Sequence, residues 1–287
     1  PIVLSKGNLV YGLRYFDNNN VVNAGAMVWM SGSQPTTGVI GAANSIVGTT
    51  TGDLLSATIN SLANGNYVVL SAGWDNSGIV DAGAVTWGNG STGTFGSISA
   101  SNSLVGTTDN LGTIGVNQLI GSNNYLVSRP FGSVNGMVNA GSVTWVNGTA
   151  PLTGTISSAN SLVGSAANDY VGLNIRVFDN GNYAVLSPNW NEKRGAVTFG
   201  NSSTGLVGVI SEQNSLVGTS PNDQVGQKAT LLNSNSTVIF YTPSYDDPTR
   251  NLTNVGAATL FDGNFGTNGK VNSTNSYIGN VASTNAS

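Results

Sequence analysis

A short block recurs five times along the chain: AGAMVW (Ala24 to Trp29), AGAVTW (Ala82 to Trp87), AGSVTW (Ala140 to Trp145), RGAVTF (Arg194 to Phe199) and VGAATL (Val255 to Leu260). A second block moves with it and reads NSIVG, NSLVG, NSLVG, NSLVG and NSYIG. The anchoring glycines Gly25, Gly83, Gly141, Gly195 and Gly256 are 58, 58, 54 and 61 residues apart, and Asn44, Asn102, Asn160, Asn214 and Asn275 keep those intervals. Such fidelity over 287 residues means one structural unit copied five times, which constrains the fold far more than the chemistry. The copies are read as 5–62, 63–120, 121–178, 179–232 and 233–287, one repeat domain with no room for a second.

Only 8% of residues are charged, against about 25% in ordinary soluble domains. Asn, Ser, Thr and Gly take their place, so the surface is polar and nearly uncharged. A net charge of -4 with nine Lys plus Arg, none clustered, offers no footprint for nucleic acid. With no Cys and no His, thiol nucleophiles, histidine bases and thiolate zinc sites are absent by inventory. No apolar run approaches a membrane span, so no membrane insertion is expected. A chain that starts at Pro1 with no Met reads as processed or excised from something longer. The composition leans towards an extracellular setting.

The second copy divides into four segments bounded by turn residues: Tyr67 to Trp74, Gly83 to Trp87, Gly96 to Val105 and Thr113 to Ile120. Tyr67 to Trp74 is rich in β-branched and aromatic residues, Gly96 to Val105 alternates small polar with apolar ones, and no window carries a capped period of 3.6, so essentially no helix is expected. Consecutive apolar residues (Val68, Val69 and Leu70; Leu104 and Val105) point to strands buried on both faces. Four strands in under 60 residues, repeated without helices, predict an all-β chain forming a five-bladed β-propeller. A parallel β-helix or an open repeat array is the alternative. Ile2 to Leu4 stands before Gly7-Asn8 as Leu62 stands before Gly65-Asn66. It therefore has the character of a fourth strand, expected to close the last blade beside the Asn275 segment and remove two open edges.

The series GNYVVLS, DAGAVTWGNGSTG, NSLVG and ND-x-VG (Asn168 to Gly172, Asn222 to Gly226) resembles a tandem repeat of large bacterial surface and secreted proteins of the haemagglutinin or adhesin type. That resemblance covers nearly all the chain and implies export and a propeller-like repeat, with no catalytic residues. Copy five departs most, with Leu260 in place of the aromatic and an Asp246-Asp247-Pro248 insertion.

One recurrent feature has the makings of a binding site. The aromatic ending the first strand is read as Phe16, Trp74, Phe131, Trp190 and Tyr245, followed by Asp17, Asp75, Gly132, Asn191 and Asp246. A ring beside a polar acceptor is how a sugar platform is built, with the ring stacked on the pyranose and the acceptor holding hydroxyls. The bland reading is a packing aromatic followed by a turn residue. Trp29, Trp87, Trp145 and Phe199 read as core. The Asn-Ser pair is read as bonding neighbouring backbone rather than a ligand. Asp53, Asp109, Asp169 and Asp223 read as Asx turns rather than calcium ligands, since no EF-hand or nonapeptide calcium motif occurs. Glu192 and Glu212 do not converge with the other acids as a glycosidase pair would. The sequence thus points to a non-catalytic exported surface module, structural or adhesive, with no metal or cofactor. The alternatives are a lectin and a segment of an extracellular filament, the partners being glycans or other copies of itself.

Overall fold

The computed structural model describes residues 1–108, 114–232 and 236–282. Its regular structure is almost entirely strand. The one helical element among the described residues, Trp190–Lys193, is a single turn in which Asn191 and Glu192 have positive φ, so it is no regular helix. The chain divides into two compact units, the first holding residues 1–118, 123–125 and 146–156, the second the remainder.

In the first unit, Thr58–Ser61, Tyr67–Ser71, Ala84–Gly88 and Ser103–Val105 pair antiparallel in that order, with registers Thr58↔Leu70, Tyr67↔Gly88 and Ala84↔Val105. The turn that starts this sheet is set by Gly65 at φ +87°, a conformation costly for other residues, and is closed by Leu62 N–H donating to the Asn66 carbonyl at 2.8 Å. Ile2–Val3, Leu9–Leu13, Ala26–Met30 and Ser45–Val47 repeat the same order. In the second unit the order recurs in Asn174–Val177, Tyr183–Ser187, Ala196–Gly200 and Ser215–Val217, and again in Lys228–Leu231, Thr237–Thr242, Ala257–Asp262 and Tyr277–Ile278. The third copy keeps the pairing of Ser142–Val146 with Leu162–Val163. This all-β series of four-stranded meanders fits the five-bladed β-propeller expected from the repeat. Antiparallel pairing inside each copy is foreign to the parallel β-helix alternative.

Four sheets carry a fifth strand that the sequence reading did not separate. The segment Gly96 to Val105 is two strands. Ser103–Val105 stays in its own sheet, while Gly96–Ser97 crosses to pair in parallel with Ile46–Val47 of the preceding copy. Gly154–Thr155, Gly208–Val209 and Gly269–Lys270 do the same on Leu104–Val105, Leu162–Val163 and Leu216–Val217. Every copy after the first therefore lends a guest strand backwards.

Two further expectations are corrected. The boundaries at 62/63 and 178/179 cut hairpins, because Thr58–Ser61 and Asn174–Val177 pair forward with Tyr67–Leu70 and Tyr183–Leu186. Likewise Ile2–Val3, expected to pair in the last blade, pairs antiparallel with Leu9–Val10 of the strand that follows it, and the described partner of Tyr277–Ile278 is Ala257–Ala258. The physical reason is local: Gly7 at φ +83° reverses the chain within a few residues, and closing so short a loop costs far less entropy than closing one across the whole chain.

The cores follow the sheets. All five residues of Tyr67–Ser71, Tyr125–Arg129 and Tyr183–Ser187 are buried; the apolar runs that open these strands predict it, and the polar residues that end them, Ser71, Ser128, Arg129 and Ser187, are buried with them. One cluster gathers Val10, Met27, Ile46, Tyr67, Val69 and Trp74, and it includes Ile98, the residue that follows the guest strand.

Candidate functional site

The recurrent aromatics lie just past their strands rather than at the ends of them. Tyr67–Ser71 stops three residues before Trp74, whose N–H donates to the Ser71 carbonyl at 3.3 Å. Trp74, Trp190 and Tyr245 are buried, whereas Phe16 and Phe131 are half-buried. The indole Nε1 atoms of Trp74 and Trp190 and the hydroxyls of Ser71 and Ser187 are buried without a hydrogen-bond partner, so these rings present no open face to a ligand. Tyr245 is fixed by its hydroxyl, which donates to the Val271 carbonyl at 2.9 Å.

The backbone also corrects the equivalence in copy three. The carbonyls of Phe16, Trp74, Trp190 and Tyr245 accept the N–H of Gly25, Gly83, Gly195 and Gly256, and in copy three it is the Gly132 carbonyl that accepts from Gly141 at 2.9 Å. Gly132 therefore holds the aromatic position. Phe131 sits one residue earlier and packs edge-on to Tyr170 with centroids 5.6 Å apart.

The residues after the rings are bound up in the scaffold. The Asp75 N–H donates to Asp53 Oδ1 at 3.1 Å, Asn191 N–H to Asp169 Oδ1 at 2.8 Å and Asp246 N–H to Asp223 Oδ1 at 3.0 Å. The Asp75 and Asp246 carboxylates in turn accept the N–H of Asp81 at 2.8 Å and Asn254 at 2.7 Å. Asp17 accepts from Asn23 N–H at 2.7 Å in the same way.

Asp53, Asp169 and Asp223 are fully buried. Their second oxygens accept two successive backbone N–H groups, from Thr49 and Thr50, Ser165 and Ala166, and Thr219 and Ser220. The role is a backbone one, as expected, but it is not the Asx turn, which bonds the N–H two residues on: each carboxylate reaches back to the N–H groups three and four residues before it and across to a second loop. Burial raises the Asp223 carboxyl above its ordinary pKa, with the N–H groups of Ser220, Asp246 and Thr219 pulling the other way. Asp109 lies outside the described residues. No group of three His, Cys, Asp or Glu side chains is placed to hold a metal among the described residues.

The Asn-Ser pair bonds neighbouring backbone as expected. Asn102 Oδ1 accepts the Ser99 N–H at 3.0 Å and the Ser103 hydroxyl at 2.9 Å, while Asn102 Nδ2 donates to the Ser97 carbonyl at 2.9 Å. Asn44, Asn214 and Asn275 make the same last bond to Val39, Val209 and Lys270. Each Asn thus shapes the guest strand of its own copy. The serine hydroxyl also shares a bond with the threonine of the AVTW block: Thr86–Ser103 at 2.7 Å, Thr144–Ser161 at 2.6 Å, Thr198–Ser215 at 2.7 Å and Thr259–Ser276 at 2.6 Å.

The AVTW aromatics, read as core, are half-buried instead. Their indoles reach into the next copy: Trp29 Nε1–H donates to the Gly90 carbonyl at 3.1 Å, Trp87 to Gly148 at 3.0 Å and Trp145 to Ser202 at 3.0 Å. A Cβ on Gly205 or Gly266 would strike the side chain of Trp145 or Phe199, and one on Gly93 would strike Phe95 and crowd Trp29, so the glycine-rich loop admits the ring.

Sequence reasoning missed the buried tyrosines Tyr67, Tyr125 and Tyr183, although their fixed place at the head of the second strand was visible. Tyr67 and Tyr183 cover Gly88 and Gly200 so closely that neither glycine has room for a Cβ. Burial pushes the Tyr67 phenol up to about 12 and raises Tyr125 and Tyr183 as well. It also lowers the Arg129 guanidinium to about 10.

Five successive stretches of the chain, residues 3–57, 61–114, 119–173, 177–227 and 242–287, match the family described as Repeat of unknown function (DUF5650). The chain belongs to that repeat family. The tandem organisation read from the sequence is therefore that of five DUF5650 repeats. No curated protein matches the chain. No helix among the described residues is long and apolar enough to cross a membrane.

Proposed function

We propose that these five DUF5650 repeats form a non-catalytic module of an exported surface protein, structural or adhesive. The observation that carries this reading is how the recurrent polar side chains are used. The repeated Asn, Ser, Thr, Asp and indole N–H groups bond within a copy or to the next, so repetition serves a rigid scaffold. Antibody labelling of intact and permeabilised source cells tests export, and beads coated with the folded chain, against beads with the denatured chain, test adhesion to cells or matrix. Labelling confined to permeabilised cells would refute the reading.

Glycan binding is a second reading, favoured by one place. In the first copy Tyr11, Arg14, Tyr15 and Phe16 line an open cleft, with Tyr11 and Tyr15 exposed. Exposed aromatic faces beside a guanidinium suit a sugar ring and its hydroxyls. A glycan array that loses signal in the Tyr15→Ala, Phe16→Ala double variant supports it, and one with no signal for the native chain rejects it.

A further inference from the structure

The guest-strand rule leaves two complementary ends. In the first four copies the strand of the NSLVG block is wholly buried, at Ile46–Val47, Leu104–Val105, Leu162–Val163 and Leu216–Val217, because the next copy's guest covers its outer edge. The fifth such strand, Tyr277–Ile278, has no guest in the described sheets, and Tyr277 is 88% exposed. Leu260 next to it, where other copies have a ring gripped by the following loop, is 57% exposed. Ala258, Leu260, Ser276 and Tyr277 line an open groove there.

The first copy carries a guest with no host in the described sheets. By the repeat spacing, Gly38-Val39-Ile40 corresponds to Gly96-Ser97-Ile98, Gly154-Thr155-Ile156, Gly208-Val209-Ile210 and Gly269-Lys270-Val271. Its backbone already has the shape of a guest strand. Gly38 has φ +134°, in the positive range of Gly96, Gly154, Gly208 and Gly269, and Asn44 holds the Val39 carbonyl at 2.9 Å. At the four occupied junctions the residue after the guest strand is buried and its N–H bonds the host. Ile98 donates to Val47, Ile156 to Val105, Ile210 to Val163 and Val271 to Val217, at 2.9 to 3.1 Å. Ile40 is only half-buried.

We propose that the chain self-associates head to tail, the Gly38–Ile40 segment of one copy adding in parallel to Tyr277–Ile278 of a second copy. The register follows from the internal junctions: Gly38 opposite Tyr277, Val39 opposite Ile278, and Ile40 N–H on the Ile278 carbonyl while its side chain fills the socket that Ile98 fills at the first junction. The occupant is another copy of this chain because the same pairing already exists four times within it, and adding a strand to an exposed edge needs no new recognition chemistry. The two mating surfaces differ, so the contact is heterologous and leaves a free end after each addition. This deepens the filament alternative and is independent of adhesion and glycan binding, whose assays can fail without touching it.

Sedimentation of the intact chain and two variants, each checked for native β structure by circular dichroism, tests the pairing. Ile40→Pro removes the leading N–H, and Tyr277→Lys with Ile278→Lys charges the trailing edge. The native chain is expected to grow in mass with concentration beyond 29.2 kDa, while each variant stays at that mass. An equimolar mixture of the two variants still holds one intact head and one intact tail, so it forms a dimer of twice that mass and stops. A native chain monomeric at every concentration, as ring closure within one chain would make it, overturns the proposal. So does a mixture that fails to dimerise or a folded variant that still polymerises.

Discussion

Asp53→Ala is the most informative single substitution. The buried carboxylate accepts backbone N–H groups from Thr49 at 2.5 Å, Thr50 at 2.9 Å and Asp75 at 3.1 Å, and so ties the loop after Ser45–Val47 to the loop after Tyr67–Ser71. Hydrogen bonds to a charged acceptor are worth about 1.5 to 3 kcal/mol each when the donor is left dry. Thr49 is exposed, and Thr50 and Asp75 half-buried, so water re-bonds part of the loss and the lower end applies. Three such bonds at the lower end set an expected cost of about 4 to 5 kcal/mol on that scale. Asp53→Asn gives no rescue, since its amide would turn a donor either on Asp75 N–H or on the Thr49 and Thr50 pair. Urea denaturation followed by tryptophan fluorescence measures the loss, because Trp74 lies beside the clamp. Hydrogen exchange at Thr49, Thr50 and Asp75 locates it, which matters because long repeat arrays depart from two-state unfolding. Loss of under about 1 kcal/mol with protection unchanged at those amides would refute the reasoning.

Trp87→Phe should cost about 1 kcal/mol through the bond to the Gly148 carbonyl, and Trp87→Ala about 2 to 3 kcal/mol, less than a sealed core ring, by the same denaturation. Gly200→Ala should prevent stable folding of its sheet, since its Cβ would run into the Tyr183 ring; a soluble variant with native near-ultraviolet circular dichroism contradicts this. Asp247 is held down to about 2 by the Thr249 hydroxyl and the Arg250 side chain. The stability it contributes is full above the ordinary carboxylate range and is lost as pH falls through about 2, so Asp247→Asn should flatten that acid limb of a denaturation profile.

Much of the architecture was legible in the sequence because it is local and repeated. Five copies, their strands, their turns at positions such as Gly65 and the backbone role of the Asn-Ser pair follow from spacing and residue type alone. The sequence also placed the recurrent aromatics, but burial divides them: Trp74, Trp190 and Tyr245 fall inside, Phe16 stays half-open, and Gly132 takes the place in copy three. Only the tertiary structure decided which copy each strand serves. Gly96–Ser97 and Ser103–Val105 are a few residues apart in the chain, yet one belongs to the preceding sheet and the other to its own. Side-chain pattern records which face of a strand is buried, whereas the choice of neighbour is made by backbone N–H and C=O groups, which are the same in every residue but proline and leave no trace in the sequence.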